Sequence, residues 1–300
     1  MKYIYENDAL KINTLGAYEG RTIEDFLNDY QQSKKNKYLL LQKKQILLND
    51  EPVKEIHTPI HDGTITLLME RSEPDWRPAD RPCQVVYEDP FLYIVHKEPG
   101  CIIHGDENDT ACLNAQAARY QLLHEIHAPV RPIHRLDKDT TGLILYSKIP
   151  FFQPWFDKQL SEKKIKRSYL AICCGKGKVG EKFTCTQPIG RDRHVSNRYR
   201  ISPTGQSAVT RVQCIAVKDE YCLMKCDLET GRTHQIRVHL SHRGYPIIND
   251  PLYGVPSQQF NTMGLWAYEM EIRNPITHKK HKIHDIPNTE VDFFQLGEQL

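Results

Sequence analysis

No stretch of the chain approaches the ~18 apolar residues that a membrane-spanning helix needs, so a membrane-embedded role is not expected. The first twenty residues, MKYIYENDALKINTLGAYEG, contain acidic side chains and no apolar core, which does not fit a secretory leader. Paired CxxC spacing is missing too. Nine cysteines, an odd number without zinc-type spacing, read as reduced thiols in a reducing compartment, and no disulfides are expected. Cys222 and Cys226 read as packing on one strand face. The expected location is cytoplasmic. No repeat of fixed period is visible, and a net charge of +2 points by itself to no class of partner.

What is present is ordinary in bulk and uneven in distribution. With 300 residues, 39% hydrophobic and 26% charged, the chain suits one large globular domain or a small domain joined to a larger one. Its cations are clustered: Lys34, Lys35, Lys37, Lys43 and Lys44; KKIKR from Lys163 to Arg167; RDRHVSNRYR from Arg191 to Arg200; and HKKHKIH from His278 to His284. One charge run is usually a solvated face. Four runs on a near-neutral chain are the footprint of a surface that tracks phosphates.

After a short, poorly patterned lead, residues 21–69 read as a compact unit. RTIEDFLNDY has Ile23, Phe26, Leu27 and Tyr30 on one helical side. SKKNKYLLLQKKQ is a basic helix with Tyr38, Leu39, Leu40 and Leu41, ILLNDEPVK a strand, an Asn-Asp turn and a return strand, and HDGTITLLM a turn and a final strand. The proline-rich ERSEPDWRPADRPCQ reads as a linker. Beyond it, VVYEDPFLYIVHKEPGCIIH gives two β-rich runs and CLNAQAARYQLLHEI a helix. The short strand-like runs SYLAICCG, KFTCTQPIG, SAVTRVQCIAVKD and YCLMKCDLE then follow without regular helices. That order predicts an α+β fold with a mixed, mainly antiparallel sheet. The expected division is 1–70, a linker at 71–82, and a large domain at 83–300.

Three stretches carry chemical interest. In IHRLDKDTTGLILYSK, from Ile133 to Lys148, an extended segment leads into a turn ending at Gly142 and then into a buried strand. Asp137 leaves that segment at the turn, where a carboxylate is fixed by backbone on both sides; locally it is as readily structural as functional. In LETGRTHQIRVHLSHRGYP, Thr230 or Thr233 is placed to cap a helix that stops at Gly244. A metal is not expected there, because His234 and His239 are five apart and His239 and His242 three apart, off the i, i+4 spacing of paired helical ligands. GKGKVG, Gly175 to Gly180, satisfies GxGxxG, but EKFTCT after it favours a strand, so a hairpin turn is expected rather than a dinucleotide site.

RPIHRLDKDTTGLILYSK together with ETGRTHQIRVHLSHRGYPIINDPLYG resembles the RluA-type RNA pseudouridine synthases. VVYEDPFLYIVHKEPGCIIHG and LWAYEMEIRNPITHKK resemble that family's opening and closing segments, so the likeness runs over roughly residues 83 to 285. Residues 21–69 resemble the small αL-type RNA-binding domain, shared with a ribosomal protein, in degenerate form: Ser33-Lys34 stands for the usual Ser-Arg and Asp62-Gly63 for the usual Gly-Asp. The resemblance implies Asp137 as catalytic aspartate, Tyr169 as the ring against the target base, Arg237 as partner of the aspartate, and Arg135 as the side chain that replaces the extruded base. His134, Arg232, Lys34, Lys35, Lys43 and Lys44 complete the expected RNA-binding set. Three positions depart from the family pattern: His96 before Lys97-Glu98-Pro99, Asn249 for a Gly, and Trp266 for a His.

The implied reaction cleaves the bond from uridine's base to its sugar and rejoins the base through carbon. Sugar hydrolysis typically uses two carboxylates; the isomerisation needs one, which attacks C1′ or removes the 2′ proton to give a glycal. Asp139 is expected to bond backbone N–H groups rather than act as a second acid. An aspartate in a water-poor pocket risks protonation, and a cation within ~4–6 Å counters that; an arginine can grip it with two parallel hydrogen bonds. The expectation is a cofactor-independent, metal-free, monomeric RNA uridine isomerase without membrane partners. Large-subunit ribosomal RNA is the expected substrate, with a tRNA enzyme or a non-catalytic RNA-binding or ribosome-assembly factor as alternatives.

Overall fold

The computed structural model describes residues 1–285 apart from 15, 62, 107 and 108; Asp62 and residues 286–300, assigned above to a turn and to the large domain, lie outside the described residues. The N-terminal unit contains β1 (Lys2–Glu6), β2 (Ala9–Asn13), α1 (Ile23–Asp29), α2 (Lys34–Gln42), β3 (Ile46–Leu48), β4 (Glu51–Pro52) and β5 (Thr64–Leu68), with sheet order β1-β2-β5-β3-β4. Local chemistry sets the boundaries. Thr22 and Asp25 form a reciprocal capping box that starts α1, and the Ser33 hydroxyl accepts from the Asn36 N–H to start α2. Asn49 and Asp50 both take positive φ (53° and 64°), the backbone that a two-residue hairpin between β3 and β4 requires. The lead read as poorly patterned is instead the hairpin β1–β2. Its turn, Asn7-Asp8, uses the same chemistry (φ 51° and 59°).

The large unit runs β6 (Gln84–Glu88), β7 (Leu92–Lys97), α3 (Leu113–Leu123), β8 (Arg131–Pro132), β9 (Thr141–Ser147), α4 (Gln153–Ser161), β10 (Lys166–Cys174), β11 (Lys182–Cys185), β12 (Ile189–Arg191), β13 (Tyr199–Ile201), β14 (Thr210–Lys218), β15 (Tyr221–Leu228), α5 (Gln235–His242), β16 (Leu265–Arg273) and β17 (Lys280–His284). The main sheet has the order β11-β14-β15-β10-β16-β9-β7-β6, with β17 on β16 and β8 on β9. Its pairings are antiparallel except β9 against β16, giving the expected α+β class with a mixed sheet. That parallel join needs a glycine: Gly142 has φ +112°, and a Cβ there would stand 2.3 Å from the Ala267 carbonyl oxygen. Central strands β7 and β9 are buried along their whole length, which is why both read as apolar runs rather than alternating ones. GKGKVG is the connection from β10 to β11 and leads into a strand, as expected, but it is not the hairpin turn expected, because β14 and β15 lie between those two strands in the sheet.

Helices α3 and α5 pack on one sheet face, through Leu113, Ala117, Ala118 and Tyr120 and through Ile236 and Leu240. The opposite face is covered by α4 and by the N-terminal unit, and there a single apolar core crosses between the units. Phe26 and Tyr30 pack on Phe151, Tyr3 packs edge-on against Phe91, and the Gln32 amide donates to the Phe151 carbonyl at 2.7 Å. Residues 71–82 contain no helix or strand but do not hang free, since the Asp75 carboxylate accepts from the Val130 N–H and Ala79 N–H bonds Ala115 O on α3. Among the described residues no helix is long and apolar enough to cross a membrane.

Candidate active site

Asp137 lies just before β9, at the turn closed by Thr140 N–H on Asp137 O (3.2 Å). Behind the turn the buried Lys97, last residue of β7, donates to the carbonyls of Glu98, Cys101 and Lys138 at 2.7–2.9 Å, tying this segment to the sheet. Burial pushes the Lys97 ammonium down to about 8. Asp139 does not bond backbone N–H groups as expected; among the described residues no donor reaches it, and its half-buried carboxylate acts on the Lys97 charge instead.

Arg237 projects from α5 and reaches Asp137 Oδ2 through Nη1 at 3.0 Å. The two-pronged grip expected on Asp137 goes elsewhere: Nε and Nη2 donate in parallel to Asp250, at 2.8 Å each. The Asp250 side chain is fully buried and also accepts from the N–H groups of Leu252 and Tyr253, so its charge is well compensated. Burial opposes the charge on Arg237, but the hydrogen bonds and charge of Asp250, with Asp137 behind them, outweigh it and raise the guanidinium's pKa further. The Tyr253 ring lies 5.2 Å from the Arg237 guanidinium, and its hydroxyl is 2.9 Å from His234 Nδ1. His234 Nε2 stands 3.8 Å from Asp137 Oδ2; burial lowers the pKa of this imidazole.

The helix start differs from expectation. Neither Thr230 nor Thr233 caps α5; the N-cap is His234 in left-handed conformation (φ 57°), which turns its ring toward Asp137. Thr230 instead accepts from Val209 N–H and donates to Gln235. His239 has both ring nitrogens engaged, by Thr210 and by the Gln187 carbonyl.

Tyr169, on β10, is buried and lines the same cavity of about 70 Å³ as Asp137 and Arg237, with Arg135, Arg167 and Arg232 around it. The three residues expected as catalytic therefore meet in one place. Arg135 and Arg232 are exposed at the rim. His134 is corrected: it is buried, its Nε2 accepts from Leu145 N–H, and burial drives its pKa down to about 3, so it is a neutral core group that cannot reach a phosphate.

The departures from the family pattern find their reasons. His96 Nδ1 and Trp266 Nε1 share the carboxylate of Asp285, at 2.6 and 3.2 Å, so two of the odd positions form one contact. Asn249 has φ +53°, which asparagine tolerates better than most residues, and its amide donates to Phe260 O and Thr262 O.

Of the basic clusters, two are largely neutralised. Lys163, Lys164 and Lys166 pair with Glu229, Glu162 and Glu271, and Lys280 and Lys282 with Glu271 and Glu269. On α2 and in the two residues after it, Lys37 is buried against Glu24 and Asn28, and Lys43 pairs with Glu70, while Lys34, Lys35 and Lys44 are exposed. The hairpin β12–β13 carries Arg191, Arg193, Arg198 and Arg200 and is pinned to the site. Tyr199 N–H donates to the Tyr253 hydroxyl, and Arg198 lies over the Tyr253 ring.

Comparison with known proteins shows the family. The family described as RNA pseudouridylate synthase matches residues 92–242. A ribosomal large subunit pseudouridine synthase D of Vibrio parahaemolyticus is 32% identical over 296 residues, covering 92% of this chain and 89% of that protein. An uncharacterized RNA pseudouridine synthase of Bacillus subtilis is 42% identical over 197 residues, 64% of this chain and 65% of its own length. Among solved structures, human RNA pseudouridylate synthase domain containing 1 aligns with TM-score 0.59 at 21% identity, over 71% of this chain and 86% of that one, a likeness of fold.

Proposed function

Because the chain belongs to the RluA-type RNA pseudouridine synthases, an isomerase family acting on RNA, we propose that it converts uridine to pseudouridine in large-subunit ribosomal RNA, with Asp137 as the reacting carboxylate. The observation that carries the site assignment is Arg237, anchored by Asp250 and aimed at Asp137. A guanidinium held by a buried carboxylate cannot follow Asp137 about. It fixes the direction of Oδ2 at one place beside the cavity, as preorganised catalysis requires. The substrate class rests on relatives named as ribosomal large subunit enzymes over nearly the whole chain.

The target base leaves the RNA stack at a cost of a few kcal/mol. Tyr169 returns part of it, an aromatic–base stack being worth ~1–3 kcal/mol. Arg135 occupies the vacated position, and Arg232, the hairpin arginines, Lys34, Lys35 and Lys44 grip phosphates, with Lys43 held partly by Glu70. One carboxylate serves cleavage and rejoining, by attack at C1′ or through a glycal, so no free uracil accumulates. Residues 1–70 act as the degenerate αL-type RNA-binding unit and 83–300 as the catalytic domain, in one monomer in the cytoplasm.

The test is to map pseudouridines by carbodiimide-blocked reverse transcription in cells with and without the protein. The reading expects stops in large-subunit ribosomal RNA that vanish with the protein; stops that vanish only from tRNA would move the substrate.

A further inference from the structure

Inside the cavity there is one cation for which the reaction as described has no use. Arg167 is two residues before Tyr169 on β10, and both line the cavity with Asp137. Its side chain is half-buried, its Nε is buried without a hydrogen-bond partner, and no carboxylate lies within ion-pair distance among the described residues. The lysines around it in KKIKR have theirs. The guanidinium passes beneath Gly231, where a Cβ would stand 3.0 Å from Nη2 and 3.4 Å from Nη1, so the missing side chain makes its room.

A partly dehydrated cation without a counter-charge is unfavourable until an anion arrives. Arg237 cannot receive one, because three of its nitrogens already serve Asp137 and Asp250. Resting on the synthase reading above, we propose that Arg167 receives the phosphodiester adjoining the flipped uridine. The guanidinium end lies under the exposed Gly231, next to the exposed Arg232, and so faces the rim where the backbone of the RNA passes. Tyr169, deeper on the same strand, takes the base. A planar guanidinium suits two phosphate oxygens at once, so this contact sets how far the nucleotide enters and brings its C1′ to Asp137.

The experiment uses the full chain with Arg167→Gln and Arg167→Lys, on total RNA from cells lacking the protein. Pseudouridine formation is followed at limiting and saturating RNA, with RNA affinity measured against salt. For Arg167→Gln, KM should rise about tenfold or more, the size of one lost charge-assisted contact, with kcat within about threefold. The slope of log affinity against log salt should shrink by roughly 0.7–0.9, one phosphate contact. Arg167→Lys should restore the slope but not the full affinity. The melting temperature of Arg167→Gln should fall only slightly, because no ion pair is lost, only the contact with the Tyr169 side chain. An unchanged salt slope, a fall in kcat at constant KM, or a melting temperature as low as that of Asp250→Asn overturns the proposal. A wild type inactive on total RNA sinks the synthase reading itself and the proposal with it.

Discussion

Arg237 holds Asp250 with two parallel hydrogen bonds of 2.8 Å while giving Asp137 a single one of 3.0 Å. The stronger grip thus belongs to the fully buried Asp250, and the weaker one to Asp137, the carboxylate proposed to react. Asp250→Asn turns an acceptor toward the guanidinium into an opposing N–H donor. Removing one partner of a buried pair costs ~3–5 kcal/mol, so urea unfolding should show a loss of that order and kcat should drop as Oδ2 of Asp137 loses its direction. Full activity would show that Asp137 needs no such anchor.

Arg237→Lys keeps the charge but cannot reach Asp250 twice and Asp137 once. Loss of a preorganised charged group costs ~10²–10³ in kcat, and turnover on saturating RNA should fall in that range with RNA affinity little changed. Equal turnover would mean that charge alone suffices.

His134 makes stability depend on acid. Its folded pKa, about 3, is below the unfolded value of 6.5, so the unfolded chain takes the proton first. The contribution is full above pH 6.5 and is lost as pH falls from there toward 3. Between pH 7 and 5 this group alone should remove about 2 kcal/mol. His134→Gln, which can still accept from Leu145 N–H, should lack that part of the pH dependence when unfolding curves are compared. Identical pH dependence in both proteins would contradict a neutral, buried His134.

A division at a linker of residues 71–82 would let the large domain fold without residues 1–75. The shared core changes that expectation. Phe91, Phe151 and Phe152, all buried, would lose cover from Tyr3, Phe26 and Tyr30. Each exposed phenyl ring forfeits ~1.5–3 kcal/mol, so the truncated protein should melt well below the full chain. Equal melting temperatures would show that the two units are thermally independent.

Much of the site was legible because it is local. A turn with Asp137 before an apolar strand, and a helix with Arg237, carry their chemistry within a few residues, and the order of strands gave the sheet. What could not be read depends on distant contacts. Asp250 looks like a turn residue until Arg237, thirteen positions earlier, is seen to fold onto it. His134 reads as part of a charged surface because Arg135 and Asp137 flank it, yet the extended backbone puts it on the inward side, against Leu145. Arg167 is lost among three lysines that pair with carboxylates when it does not. The β1–β2 hairpin was readable from Asn7-Asp8, just as the second hairpin was from Asn49-Asp50, but β1 is largely exposed and the alternation of β2 rests on Leu10 and Ile12 alone.

The central claim, that the Asp137 carboxylate performs the isomerisation, is tested most directly by Asp137→Asn, a near-isosteric change. Pseudouridine should be counted in RNA incubated with excess variant, alongside its RNA affinity. The account predicts no product above background with affinity within a few-fold of wild type. Pseudouridine formed at an appreciable fraction of the wild-type rate would contradict it.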